Sequence, residues 1–133
     1  MYYFTYGITL SRKFMTGVCP NARAAFTATL PNHKLIFTGW SRQWHGGTAS
    51  VKPFQGEKVI GGVYEISETD LRALDKFEGH PANCNRLNKM VITEDGDRIE
   101  AQVYIKLLQS EEAPPSREYL AIIQQGYRDW GIV

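Results

Sequence analysis

The sequence predicts an α+β protein whose body is a small, mostly antiparallel β-barrel with flanking helices. Three observations carry that expectation. Strand-like runs fill the first half of the chain, a hairpin signal at Asp95-Gly96-Asp97 follows in the second, and only two stretches have helical periodicity. Strands and helices are segregated rather than alternating, which argues against a doubly wound parallel sheet and for a β body curled towards a barrel.

The elements follow in order. "YYFTY" and "ARAAFTATL" are aromatic and β-branched enough for strands, and "KLIFTGW" is a third, set off by the turn signal Pro31-Asn32. "SRQWHGG" reads as a loop. "TASVKP" and "EKVIGGVYEI" read as two more strands joined across a turn near Gly56, with Pro53 at an edge. Ser67 is a plausible N-cap with acids in the first turn after it, so "ETDLRALDKF" is predicted to form a helix ending at Gly79. "RLNKMVIT" and "RIEAQVYIKLL" flank the Asp-Gly turn. Ile99, Ala101, Val103, Ile105 and Leu107 share one side of the second strand. Pro114-Pro115-Ser116 halts the chain, and "REYLAIIQQGYRDWG" closes it as a helix with Tyr119, Ile122, Ile123 and Tyr127 along one face.

The 133 residues, 43% hydrophobic and 22% charged, fit a single domain spanning residues 1–133 with a sizeable core. A net charge of +1 with interleaved signs gives no footprint for nucleic acid, and the densest basic stretch, Arg12-Lys13, reads as solvated loop charge. No apolar run approaches a membrane span, and "MYYFTYG" reads as a first strand rather than a signal peptide, so a cytoplasmic location is expected. Cys19 and Cys84 lack CxxC spacing and the three histidines are scattered, so no metal site is expected. No glycine-rich phosphate loop follows a strand, so no nucleotide cofactor is expected either.

One short stretch, "LDKFEGHP" (residues 74–81), carries the chemistry. Leu71, Leu74, Asp75 and Glu78 fall on one helical stripe, so Glu78 is carried towards the core face. A carboxylate at a helix C-terminus opposes the macrodipole, and partial burial adds to that. Both raise its pKa towards the range of a proton shuttle. Spacing alone leaves two readings open: a structural glutamate that bends to water or pairs with a lysine, and a general acid/base. Asp75 is expected to cap or pair within the helix end, His80 to sit as a cation at that end, and Trp44-His45 to pack the loop.

Several stretches, in this order, resemble the γ-glutamylcyclotransferase-like (AIG2-like) family. "YFTYGITL" sits where that family has a strand followed by Tyr-Gly-Ser-Asn-Leu, and "FTGWSRQWHGGTASVKP" is similar to its Trp-x-Gly-Gly segment. "GGVYEIS" matches the strand before the main helix, "LDKFEG" the Leu-Asp-x-x-Glu-Gly motif, and "APPSREYLAIIQQGYRDWGI" the Pro-Pro-Ser…Tyr segment and final helix. The resemblance implies the family's barrel fold. It also implies an enzyme releasing 5-oxoproline and a free amine or amino acid from a small γ-glutamyl amine or peptide, with no cofactor, metal, nucleic acid or membrane partner.

In that chemistry the substrate's own α-amine attacks its γ-carbonyl, so no protein nucleophile is needed. The resemblance makes Glu78 the acid/base and Tyr6, Gly7, Ile8, Thr9 and Leu10 the γ-glutamyl cradle, with Tyr119 on the pocket wall. The family's Ser-Asn is Ile8-Thr9 here, and Cys84 falls at about the place of a pocket-lining tyrosine, which makes it a candidate lining residue. Those departures give the rival expectation of a non-catalytic member that binds a small metabolite or a protein partner through the same pocket. A third reading is hydrolysis or transfer on a γ-glutamyl-like amide with water as the attacking group.

Overall fold

The computed structural model describes residues 1–108 and 111–132. Five strands close into a barrel in the order β1-β3-β2-β4-β5, with three α-helices around it. They are β1 (Tyr2–Thr5), β2 (Arg23–Ser41), β3 (Gly46–Glu65), β4 (Cys84–Thr93) and β5 (Arg98–Lys106). The helices are α1 (Arg12–Val18), α2 (Glu68–Glu78) and α3 (Arg117–Trp130). All neighbouring strands run antiparallel except β1 and β5, which meet in parallel at Tyr3 and Gln102. Among the described residues no helix is long and apolar enough to cross a membrane.

The first half departs from the predicted segmentation. Pro31-Asn32 does not end a strand, and the excursion near Gly56 does not separate two. The register passes from Pro31 opposite Lys58 to His33 opposite Pro53, so four residues of β3 bulge out against Asn32 alone. Asn32 takes a left-handed φ of 58°, and its side-chain oxygen accepts the Gly56 N–H at 3.2 Å. A bulge bends the strand without ending its pairing, so the same turn-forming residues curve one long hairpin into the barrel.

Alternation along the strands sorts the side chains into two layers. Phe4, Leu30, Val51, Val63, Val91 and Val103 fill the barrel. Tyr3, Tyr64 and Tyr104, one residue out of phase, face outward and pack with Met15 and Leu74 beneath α1 and α2. A smaller cluster of Ile8, Tyr119 and Ile123 lies under α3. The predicted inner side of β5 holds through Ile105, but Leu107 lies past the strand end and is exposed.

The helix α1 is an addition to the sequence reading, so Arg12-Lys13 lie on its exposed first turn rather than in a loop. Its marker is Ser11, whose hydroxyl accepts the Phe14 N–H at 3.2 Å. Between β1 and α1 the chain makes one 3-10 turn, Ile8–Leu10, and α3 clamps it. The Trp130 indole donates to the Leu10 carbonyl at 2.8 Å, and the Arg12 N–H donates to Asp129 at 3.0 Å.

Gly126 is what allows so close a seat: a Cβ there would stand 2.5 Å from Leu10 Cβ and 2.7 Å from the Ser11 nitrogen. In Gly126→Ala the gain in helix propensity is about 1 kcal/mol. The clash is with backbone that cannot swing aside, and overpacking of that kind costs about 1–3 kcal/mol or more. The clash should therefore win. A lowered urea midpoint with an unchanged slope is expected, and an equal or higher midpoint would show that the close approach is dispensable.

Candidate active site

A cavity of about 500 Å3 opens where the end of α2, the turn after β1, the β2–β3 hairpin and the end of β5 meet. That volume suits a small-molecule ligand. Among the described residues lining it, the two charged side chains are Glu78 and Lys106.

Glu78 is the last residue of α2, and local chemistry explains why it stays there. Ser67 and Asp70 form a capping box at the start of the helix, Gly79 ends it with a left-handed φ of 75°, and Leu74 is fully buried. Asp75, on the same face, does not pair within the helix end as expected. Its carboxylate accepts the Tyr104 hydroxyl of β5 at 2.6 Å and forms an ion pair with Arg86 of β4, 2.9 Å from its Nε. The last turn of α2 is thereby lashed to the barrel wall, and Glu78 is delivered into the cavity.

The Glu78 carboxyl keeps some accessible surface because it faces the cavity, but protein surrounds it on nearly every side. Loss of hydration pushes its pKa up to about 7, with the Lys106 charge pulling weakly the other way. None of the ion pairs among the described residues involves Glu78. The carboxyl is therefore unquenched, and it can hold or release a proton near neutrality.

Tyr6, Gly7, Ile8 and Thr9 line the same cavity, and Leu10 does not. The leucine side chain is fully buried under α3, and its N–H is spent on the Gly7 carbonyl at 3.0 Å. It is a packing residue rather than part of the cradle. The N–H groups of Ile8 and Thr9 begin a helical turn and have no partner among the described residues. The Thr9 hydroxyl, by contrast, is occupied: it bonds the Tyr3 hydroxyl at 2.8 Å and the Thr5 hydroxyl, and its carbonyl accepts from Tyr64 at 3.0 Å. What this turn offers a ligand is main chain, not the threonine side chain.

Tyr119 lines the cavity from the first turn of α3, its hydroxyl oxygen accepting the Ala49 N–H at 2.9 Å. Trp44 packs edge-on against it with ring centroids 5.4 Å apart, whereas His45 is exposed and is not among the residues that line the cavity. Cys84 also lines the cavity. Burial, and then the Glu78 charge, push its thiol up to about 11, so it is a neutral wall rather than a nucleophile. Cys19 is buried beneath the helices with its thiol directed at the Asp70 carbonyl. His80 sits behind Glu78, its Nδ1 3.1 Å from the Cys84 carbonyl. Among the described residues no group of three or more His, Cys, Asp or Glu side chains could hold a metal ion.

Lys106 was not anticipated. The alternation of β5 places it on the face with Tyr104, which in an isolated hairpin would meet water. Here that face turns into the cavity. The loop after Gly79 had no strong signal either, yet it contributes Ala82 and Asn83 to the wall.

A family model described as "Gamma-glutamyl cyclotransferase, AIG2-like" matches residues 3–127. The chain belongs to that family. The Gamma-glutamylcyclotransferase of Homo sapiens is 31% identical over 135 residues, an alignment covering 98% of this chain and 71% of the human protein. A solved Gamma-glutamyl cyclotransferase structure superposes with a TM-score of 0.94 at 30% identity, covering 99% of this chain and 80% of the other. The crystal structure of YkqA from Bacillus subtilis gives 0.83 at 23% identity, over 98% of this chain and 49% of its own, a likeness of fold alone. The five-stranded closed barrel with three flanking helices is thus the fold that the family shares.

The buried acid has a stability cost with a definite sign. The Glu78 pKa is about 7 in the folded protein against an ordinary 4.5, so the native state binds the proton more tightly than the unfolded chain. Stability must therefore fall as pH rises from about 4.5 to 7 and stay low above that window. Glu78→Gln removes the loss, and at pH 8 it should be more stable than wild type by about 1–3 kcal/mol, with the gap closing towards pH 4. Thermal melts across that range test this, and a variant less stable at pH 8 would show a carboxylate that is satisfied rather than strained.

Proposed function

We propose that the protein is a γ-glutamylcyclotransferase that releases 5-oxoproline and a free amine or amino acid from a small γ-glutamyl compound, with Glu78 as general acid and base. The observation that carries this reading is the unpaired Glu78 carboxyl, poised near neutrality in one cavity with the turn from Tyr6 to Thr9.

The chemistry makes few demands, and the cavity meets them. The substrate α-amine attacks its own γ-carbonyl carbon, forming a C–N bond that closes a five-membered ring. Ionised Glu78 takes the proton that the attacking amine must lose. The tetrahedral intermediate then collapses, the original γ-amide C–N bond breaks, and Glu78 returns the proton to the departing nitrogen. A carboxyl titrating near 7 suits both transfers, because it is neither too weak a base nor too weak an acid. Hydrogen-bond donors for the substrate α-carboxylate and the oxyanion come, in this reading, from the N–H groups of Ile8 and Thr9, which have no partner among the described residues. Tyr119 and Trp44 wall the cavity and help keep the flexible glutamyl arm in its ring-closing shape. The loss of the family's Ser-Asn side chains leaves this main-chain contribution intact. Cys84, taken as a pocket-wall residue, leaves more room there than a tyrosine would. The two free thiols support a reducing, cytoplasmic setting for the reaction.

Incubation with a panel of γ-glutamyl amines and dipeptides should yield 5-oxoproline. Turnover should fall by about 10²–10⁴ in Glu78→Gln, the range typical of a lost general acid/base. The base must be ionised in the free enzyme, so kcat/KM should be low in acid and rise to a plateau above about pH 7. Full activity in Glu78→Gln would remove the assignment, and silence of the folded wild type across the panel would favour a binding role for the pocket.

A further inference from the structure

We propose that the mouth of the cavity selects γ-glutamyl substrates whose leaving half carries an apolar side chain, received by Phe77, Leu107 and Leu108; this rests on the cyclotransferase reading. The lining residues sort by depth. Thr5, Tyr6, Thr9, Cys84 and Tyr119 are buried and close the inner end. Gln43, Phe77, Ala82, Asn83, Leu107 and Leu108 are exposed and form the mouth. None of those six is charged, and the three large ones are apolar.

That exposure has no account in the packing of the fold. Leu108 is 86% exposed, Leu107 47% and Phe77 40%, and none of them belongs to a buried cluster. A single apolar side chain in water is ordinary, whereas three around one opening mark a surface that something apolar covers. The mouth is also held in place. The Leu107 N–H donates to the Asn83 carbonyl at 3.0 Å, and the Asn83 N–H donates to the Gly79 carbonyl at 2.7 Å. The chain leaving β5 is thereby tied to the loop that follows α2. Phe77 packs edge-on against Phe14 of α1 with centroids 5.6 Å apart, and Phe14 lies 6.1 Å from Trp44, a further lining residue.

What covers this surface follows from the direction in which a substrate must lie. Its constant half brings the γ-carbonyl to Glu78 and the polar α-groups to the turn at Ile8 and Thr9, both of which are buried. The reacting amide then stands beside Glu78, the residue that directly follows Phe77 in the chain. With the inner end taken, the half beyond that amide extends towards the mouth. An apolar side chain there leaves water together with Phe77, Leu107 and Leu108, and gains from the area that both sides bury. A polar side chain of the same size would be dehydrated against the same three residues without that gain.

The test compares γ-glutamyl-leucine with γ-glutamyl-asparagine. They share the glutamyl half and the leaving carboxylate, and their side chains match in size but not in polarity. Wild-type kcat/KM should favour the leucine compound by about tenfold, the scale of an aliphatic side chain partly removed from water. The ratio should fall towards one in a double variant carrying Leu107→Ser and Leu108→Ser, whose exposed positions beyond β5 spare the core. Because both rates come from the same protein sample, the ratio is insensitive to the fraction folded. A wild-type ratio near or below one overturns the inference, and so does a preference for leucine that survives intact in the double variant. Silence on these two compounds alongside turnover of other γ-glutamyl compounds also overturns it. Silence on every γ-glutamyl compound overturns the cyclotransferase reading itself, an outcome separate from the others.

Discussion

A carboxyl group held in a cavity with no ion-pair partner among the described residues is the constraint around which the rest of this structure is arranged. Water would hydrate Glu78 if the end of α2 were free to lift, so the helix must be held down by something other than Glu78 itself. Asp75 does this. Three residues earlier on the same face, it is bound by Tyr104 and Arg86 of the barrel wall. Two acids one turn apart thus have opposite roles. The paired one contributes position, and the other keeps a pKa near 7, the property on which the proposed mechanism draws. Exchanging their partners would give a firmer helix end and a Glu78 carboxyl ionised well below neutrality.

The opposite side of the cavity is built by a second set of restraints. The turn after β1 is pinned below by hydroxyl contacts among Tyr3, Thr5 and Thr9, and above by α3 through Gly126 and Trp130. These contacts use up the threonine hydroxyls and the Leu10 backbone. They leave the first N–H groups of the turn as its unspent polar atoms. Isoleucine and threonine in place of the family's serine and asparagine leave that feature intact, with the Thr9 hydroxyl itself among the contacts that hold the turn.

How much of this was legible depended on whether the signal was local. The span of α2, its Ser67 start and its Gly79 stop follow from capping chemistry within the segment, and so does the placement of Glu78 beside Leu74. The barrel's closure followed from the order of elements. Turn residues misled where a bulge could absorb them: Asn32 and Gly56 look like chain reversals, and only the long pairing of β2 with β3 makes them bends. Leu10 was assigned to the cradle because sequence adjacency cannot distinguish the lining residues of a tight turn from the one beneath them. The partners of Asp75, expected within the helix end, and the place of Lys106 were missed in a different way. The partners of both residues lie far off in sequence, at Tyr104, Thr38 and Thr48, and no periodicity reports a contact of that range.

The two charges in the cavity are close enough to affect each other's titration, yet they are not an ion pair. That separation is itself a structural requirement. A lysine in contact with Glu78 would favour the ionised carboxylate and draw its pKa down by about 1–3 units, out of the range where it can both accept and return a proton. Lys106 cannot make that contact while Thr38 and Thr48 hold its ammonium against the hairpin. The tether therefore keeps the positive charge of Lys106 from pairing with the Glu78 carboxyl. In an unanchored side chain the attraction between the two groups would close the gap, and the carboxyl would no longer titrate near neutrality.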